Sequence, residues 1–245
     1  KASLTLNAAK LTLPGDLAAL SNVQLEIKIE DFAALNGTGE ILAEEVTAAG
    51  VVLRAFRANL TLQNGVAVVE IPDTALFDGI VSARAEFHLR EPGMPMTVSG
   101  KLSNIDLAVF SREVKPPAVV LSGRASGEFE VSGDLSGVRD LDASLRCAEG
   151  FTINRDVVEQ LALYTQGIAI VGKSLQRAIG EQDPRPFDRA EVSVGYQAGN
   201  TTISVFVSSR LLDLAPVFYI KADLADLFRL LQENQIQNIQ RISGN

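Results

Sequence analysis

One histidine, one cysteine and no tryptophan occur in 245 residues, and each scarcity removes a class of chemistry. Cys147 alone cannot close a disulfide within the chain. The usual His/Cys metal sites need three or four such ligands, and the chain offers two. A Ser–His–Asp triad would have to use His88, the single histidine. These counts argue against an enzyme, and they give no reason to expect a cofactor, a metal or a catalytic residue. No apolar run approaches the roughly 18–20 residues needed to span a bilayer. Basic residues number 22 and acidic ones 30, for a formal net charge of −8 and a pI near 4.8. The electrostatic footprint of a nucleic-acid binder is therefore missing. The chain opens on Lys1 with no signal-like apolar core behind it. That reads as a processed or excised segment, so any membrane anchor would lie outside it.

What the chain has in abundance is alternation. Val23, Leu25, Ile27 and Ile29 are separated by Gln24, Glu26 and Lys28, and Phe56, Ala58, Leu60 and Leu62 by Arg57, Asn59 and Thr61. The same period of two, the period of a strand, runs through 83–89, 96–102, 119–131, 141–147 and 192–196. Further strands are expected at 3–13, 38–47, 66–71, 201–208 and 216–222. Turn residues separate them. Asn64-Gly65 supplies the positive φ of a type I′ hairpin. Asp78-Gly79, Glu91-Pro92-Gly93, the segment from Gly133 to Gly137, and Ala198-Gly199-Asn200 act similarly. Lys115-Pro116-Pro117 marks a strand crossing or a bend. Two stretches change to helical spacing. Val157, Leu161, Tyr164, Ile168, Val171, Leu175 and Ile179 lie between Asn154 as N-cap and Gly180 as stop. Leu224, Leu227, Phe228, Leu231, Ile239 and Ile242 form the second set.

The expected fold is mainly β, with about a dozen strands joined as antiparallel meanders. The sheet is expected to be curled and strongly twisted, a groove or half-open barrel, in one domain spanning 1–245. Helices are expected near 155–179 and 223–242. Each strand is apolar on one face only, whereas a parallel sheet covered on both sides would read as continuous apolar runs. The apolar face must be hidden by closing, by folding into a sandwich, or by curling round something apolar.

Gly167 to Ser174 fits the P-loop pattern G-x-x-x-x-G-K-[ST] letter for letter. A P-loop needs a buried strand before it and a solvated loop of backbone amides around phosphate. Here the preceding residues have helical period and the variable positions are Ile-Ala-Ile-Val, so a helix face is expected and no nucleotide. His88 alternates outward with Arg84, Glu86 and Arg90 and reads as a surface residue, while Cys147 falls on an apolar side and reads as core. The acidic pairs Glu44-Glu45 and Asp140/Asp142 read as solvated sheet residues rather than as facing carboxylates of a glycosidase.

One order of segments is distinctive. It begins with Asn59-Leu-Thr-Leu-Gln-Asn-Gly65, Val66-Ala-Val-Val-Glu-Ile71 and Ala75-Leu-Phe-Asp-Gly79, followed by Asn104-Ile105-Asp106-Leu107. The glycine-punctuated Leu121–Gly133 and the strand from Leu141 to Gly150 come next, then Pro186-Phe187-Asp188-Arg189. This order, over roughly residues 40–222, resembles the AsmA family of bacterial envelope proteins. The resemblance implies a periplasmic region of a longer, inner-membrane-anchored protein. Relatives such as TamB and the bridge-like lipid-transfer proteins of eukaryotes form long curled sheets with a lipid-lined groove, and related bacterial proteins are tied to phospholipid traffic and outer-membrane assembly. On that footing the expected function is non-enzymatic lipid handling, with phospholipid or another acyl-chain ligand on the apolar face and envelope proteins as further partners. Inward parity nominates Leu60, Leu62, Ala85, Phe87, Val98, Leu102, Leu121 and Phe129 as groove lining. The alternative is a structural or interaction scaffold of the envelope, with a closed core and no lipid.

Overall fold

The computed structural model describes residues 2–12, 18–48, 51–113, 121–147, 150–154, 158, 184–210 and 212–220. Alternation is realised as strands almost throughout. The first seven are β1 (Ala2–Thr12), β2 (Ala18–Asp31), β3 (Asn36–Ala48), β4 (Val51–Gln63), β5 (Val66–Leu76), β6 (Gly79–His88) and β7 (Met96–Asp106). Helix α1 (Leu107–Glu113) follows, then β8 (Leu121–Ser122), β9 (Arg124–Asp134), β10 (Gly137–Cys147) and β11 (Phe151–Ile153). The series ends with β12 (Arg185–Phe187), β13 (Arg189–Gln197), β14 (Asn200–Ser209), β15 (Leu212–Leu214) and β16 (Val217–Ile220). A 13-stranded sheet has the order β1-β2-β3-β4-β5-β6-β7-β9-β10-β13-β14-β15, with β16 also pairing β14, and it is not closed into a barrel. β12, β11 and β8 form a separate three-stranded sheet.

The turns explain why neighbours in sequence are neighbours in the sheet. Asn64 and Gly65 have φ of 53° and 83°, the double positive φ of a type I′ turn, and Gln63 pairs with Val66 across it. Ala198 and Gly199 repeat this at 48° and 82° between Gln197 and Asn200. In the hairpin between β5 and β6 the positive φ values fall on Phe77 and Asp78, one residue earlier than the Asp78-Gly79 dipeptide suggested.

The hairpin tips at one end are tied to one another. The Leu89 amide donates to the Gly65 carbonyl at 2.9 Å, and the Asn64 amide donates to Asn36 Oδ1 at 2.7 Å. Arg90 donates from Nη2 to the Ala33 carbonyl, and its stem occupies the place a side chain at position 65 would need. A Cβ on Gly65 would lie 2.7 Å from Arg90 Cδ.

Contacts divide the chain into two compact units. The first comprises Lys1–Leu76, Ile80–Lys101 and Phe129–Leu141, and the second Phe77–Gly79, Leu102–Glu128 and Asp142–Asn245.

Two helices were expected, near 155–179 and 223–242. Both stretches lie outside the described residues, apart from Val158, whose amide donates to the Asn154 carbonyl at 3.2 Å. Among the described residues the one α-helix is α1, where no helix was expected. Its seven residues are too few to show a helical period, so its cap defines it instead. Asp106 Oδ1 accepts from the amides of Ala108 at 2.8 Å and Val109 at 3.2 Å, satisfying two of the donors a helix start leaves unpaired.

These bonds hold the Asp106 carboxyl below its ordinary value of 3.8, the Val109 amide first, with the Ala108 amide and the Arg124 and Arg112 charges adding and desolvation opposing. Asp134 is lowered likewise, first by the Ser136 hydroxyl and then by the Ser136 amide, with Arg139 adding. A carboxyl whose folded value is depressed stabilises the fold above its unfolded value and loses that contribution as pH falls through the folded one. Stability should therefore be level around neutrality and fall as pH drops below about 4. In thermal unfolding at pH 7, Asp106→Ala should lower the melting temperature, and Asp106→Asn, which still caps, should lower it less and flatten the acid dependence.

Candidate functional site

In the first unit the ladder register turns the alternation of single strands into rows that cross five of them. Leu4, Ile27, Gly39, Leu60 and Val69 stand opposite one another in succession from β1 to β5. Leu6, Leu25, Ile41 and Ala58 form a second row, and Leu11, Leu20, Val46 and Leu53 a third. Ala2, Ile29, Gly37, Leu62 and Ala67 form a fourth. The other face carries rows such as Thr5, Glu26, Glu40, Asn59 and Glu70. There Lys28 pairs with Glu26 at 3.2 Å, Arg84 with Glu70 at 2.6 Å, and Arg57 with Glu40.

Two positive φ values keep the apolar side chains on one side. Before Asn22 (φ 49°) the inward residue is the even-numbered Leu20, and after it the odd-numbered Val23, Leu25 and Ile27. Ala55 (φ 52°) makes the same switch in β4, from Leu53 to Phe56 and Ala58. Without these local kinks half of each strand would present its apolar residues to the polar side.

The resulting cluster has Leu20, Val23, Ala43, Phe56 and Ala58 buried, with Ala8, Ile41, Val46, Leu53, Val69 and Ile71 packed against them. Every member belongs to β1–β5. Its coverage is lateral: the large side chains of β4 stand opposite small residues of β3, Phe56 by Ala43, Leu60 by Gly39 and Leu62 by Gly37. A Cβ at Gly39 would come 2.5 Å from the Glu26 carbonyl oxygen, so the position opposite Leu60 accepts no side chain. Cover thins toward the edge, where Leu4, Leu6 and Leu11 are 56%, 44% and 40% exposed.

The eight nominated lining residues separate. Leu60 is buried in the first unit, and Leu62, Ala85, Phe87, Val98 and Phe129 are half-buried there. The Phe129 ring covers Gly100, filling the volume a Cβ there would take. Leu102 and Leu121 belong to the second unit. Sequence alternation treated Leu121 and Phe129 as one strand, but Gly123, at φ 108°, breaks it into β8 and β9, which join different sheets. Leu121 packs on a core of the second unit's own. The residues this parity argument passed over are Leu4, Leu6, Leu20, Val23 and Ile41, whose common face becomes visible only through the register and the switch at Asn22.

That second core has two layers. Phe151, Ile153 and Phe187 of the small sheet, with Leu121 beside them, meet Ala125, Cys147, Ala190, Val207 and Leu214 of the large sheet, with Leu107 of α1 and Val158. The Phe151 and Phe187 rings lie 6.4 Å apart. Arg185 is 9% exposed, its guanidinium carbon 5.6 Å from the centre of the Phe187 ring. Its Nε has no hydrogen-bond partner, and burial lowers its pKa from the ordinary value.

Other candidate chemistry is dispersed. His88 sits between Glu86 (3.3 Å) and Glu91 (3.1 Å). Glu44 accepts from Asn22, and Asp140 accepts from Ser132 at 3.1 Å. Among the described residues no three His, Cys, Asp or Glu side chains converge as metal ligands, and no helix is long and apolar enough to cross a membrane. A shallow depression lined by Glu26, Lys28, Thr38, Gly39 and Glu40 lies on the polar face. The Gly167 to Ser174 segment lies outside the described residues.

The Arg185 stem is buried beside the Phe187 ring and is part of the packing there. Arg185→Ala, which removes that stem, should destabilise the protein in denaturant unfolding.

No protein-family model matches the chain, and neither does a curated protein or a solved structure.

Proposed function

We propose that this chain is a non-enzymatic lipid-handling module, in which acyl chains of phospholipid lie along the apolar face of the first unit. The observation that carries the reading is the make-up of that unit's cluster: one face of five neighbouring strands, with large leucines exposed at its margin and no helix or second sheet contributing a side chain among the described residues. An apolar sheet face left in water costs about 25 cal/mol per Å², and an acyl chain laid on it regains roughly 0.8 kcal/mol per CH₂. The sheet curls into a groove around that ligand. Half-buried Leu62, Ala85, Phe87, Val98 and Phe129 line it, and Leu60 forms part of its floor. With the resemblance to AsmA-like proteins, the module works in the periplasm as part of a longer inner-membrane-anchored protein and supports outer-membrane assembly.

A second reading, an envelope scaffold that binds protein partners and no lipid, is favoured by the second unit, whose two-layered core is filled by its own side chains.

The test is uptake. Delipidated protein incubated with phosphatidylethanolamine–phosphatidylglycerol vesicles and recovered should carry phospholipid in native mass spectrometry. Leu62→Glu with Val98→Glu, at half-buried positions, should cut the loaded fraction about tenfold or more while leaving the circular dichroism spectrum unchanged. Wild-type protein that stays lipid-free would exclude the module and leave the scaffold.

A further inference from the structure

We infer that the rim formed by four hairpin tips of the first unit docks onto a lipid bilayer, with Phe32, Leu89 and Leu135 entering its interfacial layer. The tips are the connections β2–β3, β4–β5, β6–β7 and β9–β10, all internal to described segments of the chain. Hydrogen bonds set them side by side. The Asn64 amide reaches Asn36, the Leu89 amide reaches Gly65, and the Leu135 amide donates to the Gly93 carbonyl at 3.0 Å. On this laced rim Phe32 is 59% and Leu135 65% exposed, and Leu89 is exposed as well. Tight turns ordinarily take glycine, proline, asparagine, aspartate or serine, so the ladder gives no reason for large apolar side chains there.

Two observations select a bilayer as the occupant. The first is spacing. The three tips that carry Phe32, Leu89 and Leu135 lie four and then two strand spacings apart, roughly 19 and 10 Å along the sheet. They are separate apolar points at hairpin ends, not one patch. A protein surface would need a pocket for each, whereas a fluid apolar layer buries each without regard to direction or spacing. The second is polar satisfaction. A loop that enters a layer of low dielectric must pair its own backbone groups. Besides the ties above, the Glu91 amide donates to the His88 carbonyl at 3.2 Å and the Met94 amide to the Glu91 carbonyl at 3.0 Å. Carboxylates of the rim are engaged too, Asp31 by the amides of Ala33 (2.8 Å) and Ala34 (3.1 Å), and Asp134 by Ser136 and Arg139. The contact is therefore apolar, and the net charge of −8 does not oppose it on lipid without net charge. The inference does not rest on acyl chains along the sheet face, since none of the three residues lines it and docking needs no guest.

Flotation with phosphatidylcholine vesicles tests it. The wild-type chain should float with them, equally well in high salt. Phe32→Gln with Leu135→Gln should lower the floated fraction about tenfold or more, at an unchanged melting temperature because both side chains are exposed. Ile80→Gln, at an exposed position on the opposite end of β6, should float as the wild type does. A second readout uses the lack of tryptophan in the chain. The emission of Leu135→Trp should shift to the blue on adding vesicles and be quenched by brominated lipid, and that of Ile80→Trp should do neither. A wild-type chain that stays in the unbound fraction overturns the inference and leaves the rim to a protein partner. So does a double variant that floats as the wild type does, flotation that is lost in high salt, or a blue shift of Ile80→Trp equal to that of Leu135→Trp.

Discussion

An apolar sheet face can be covered only by atoms, and the source of those atoms separates the two halves of this molecule. In the second unit a small sheet and a short helix supply them, and Phe151, Ile153, Phe187 and Leu107 close a conventional core over the large sheet. In the first unit the cluster draws on the face itself, with large residues of β4 opposite Gly37, Gly39 and Ala43 of β3. Lateral cover of this kind is enough to bury Val23 and Ala58 at the centre, but it leaves the margin wet. The lipid reading starts from that shortfall.

The alternation in single strands made the class of fold legible, because a period of two over most of the chain has few other meanings. The tight turns were legible for a similarly local reason: Asn64-Gly65 and Ala198-Gly199 need positive φ, and their composition says so. Less visible were the features that depend on more than one strand. Asn22 and Ala55 take a left-handed backbone that neither residue advertises, and each reverses which parity points inward. The Gly123 break, hidden inside an apparently continuous alternation from 119 to 131, sent Leu121 to another sheet and into a closed core. Helix α1 was hidden for the opposite reason. At seven residues it has no periodicity to read, and only the Asp106 cap marks its start.

Parity within β4, β6, β7 and β9 says which residues of one strand share a face, and Leu60, Leu62, Ala85, Phe87, Val98 and Phe129 are all buried or half-buried in the first unit. Rows across strands are a property of register, which turn lengths and the two switches determine jointly. The contribution of β1 and β2 to the face could not be read before that register was known, although it includes the exposed Leu4, Leu6 and Leu11.

The ties between hairpin tips bear on how such a sheet can deform. Leu89 to Gly65, Arg90 to Ala33 and Asn64 to Asn36 lace three successive loops along one rim. Each tie joins loops that are not neighbours in sequence, so the tips of that rim are coupled across the sheet and shift together rather than one at a time.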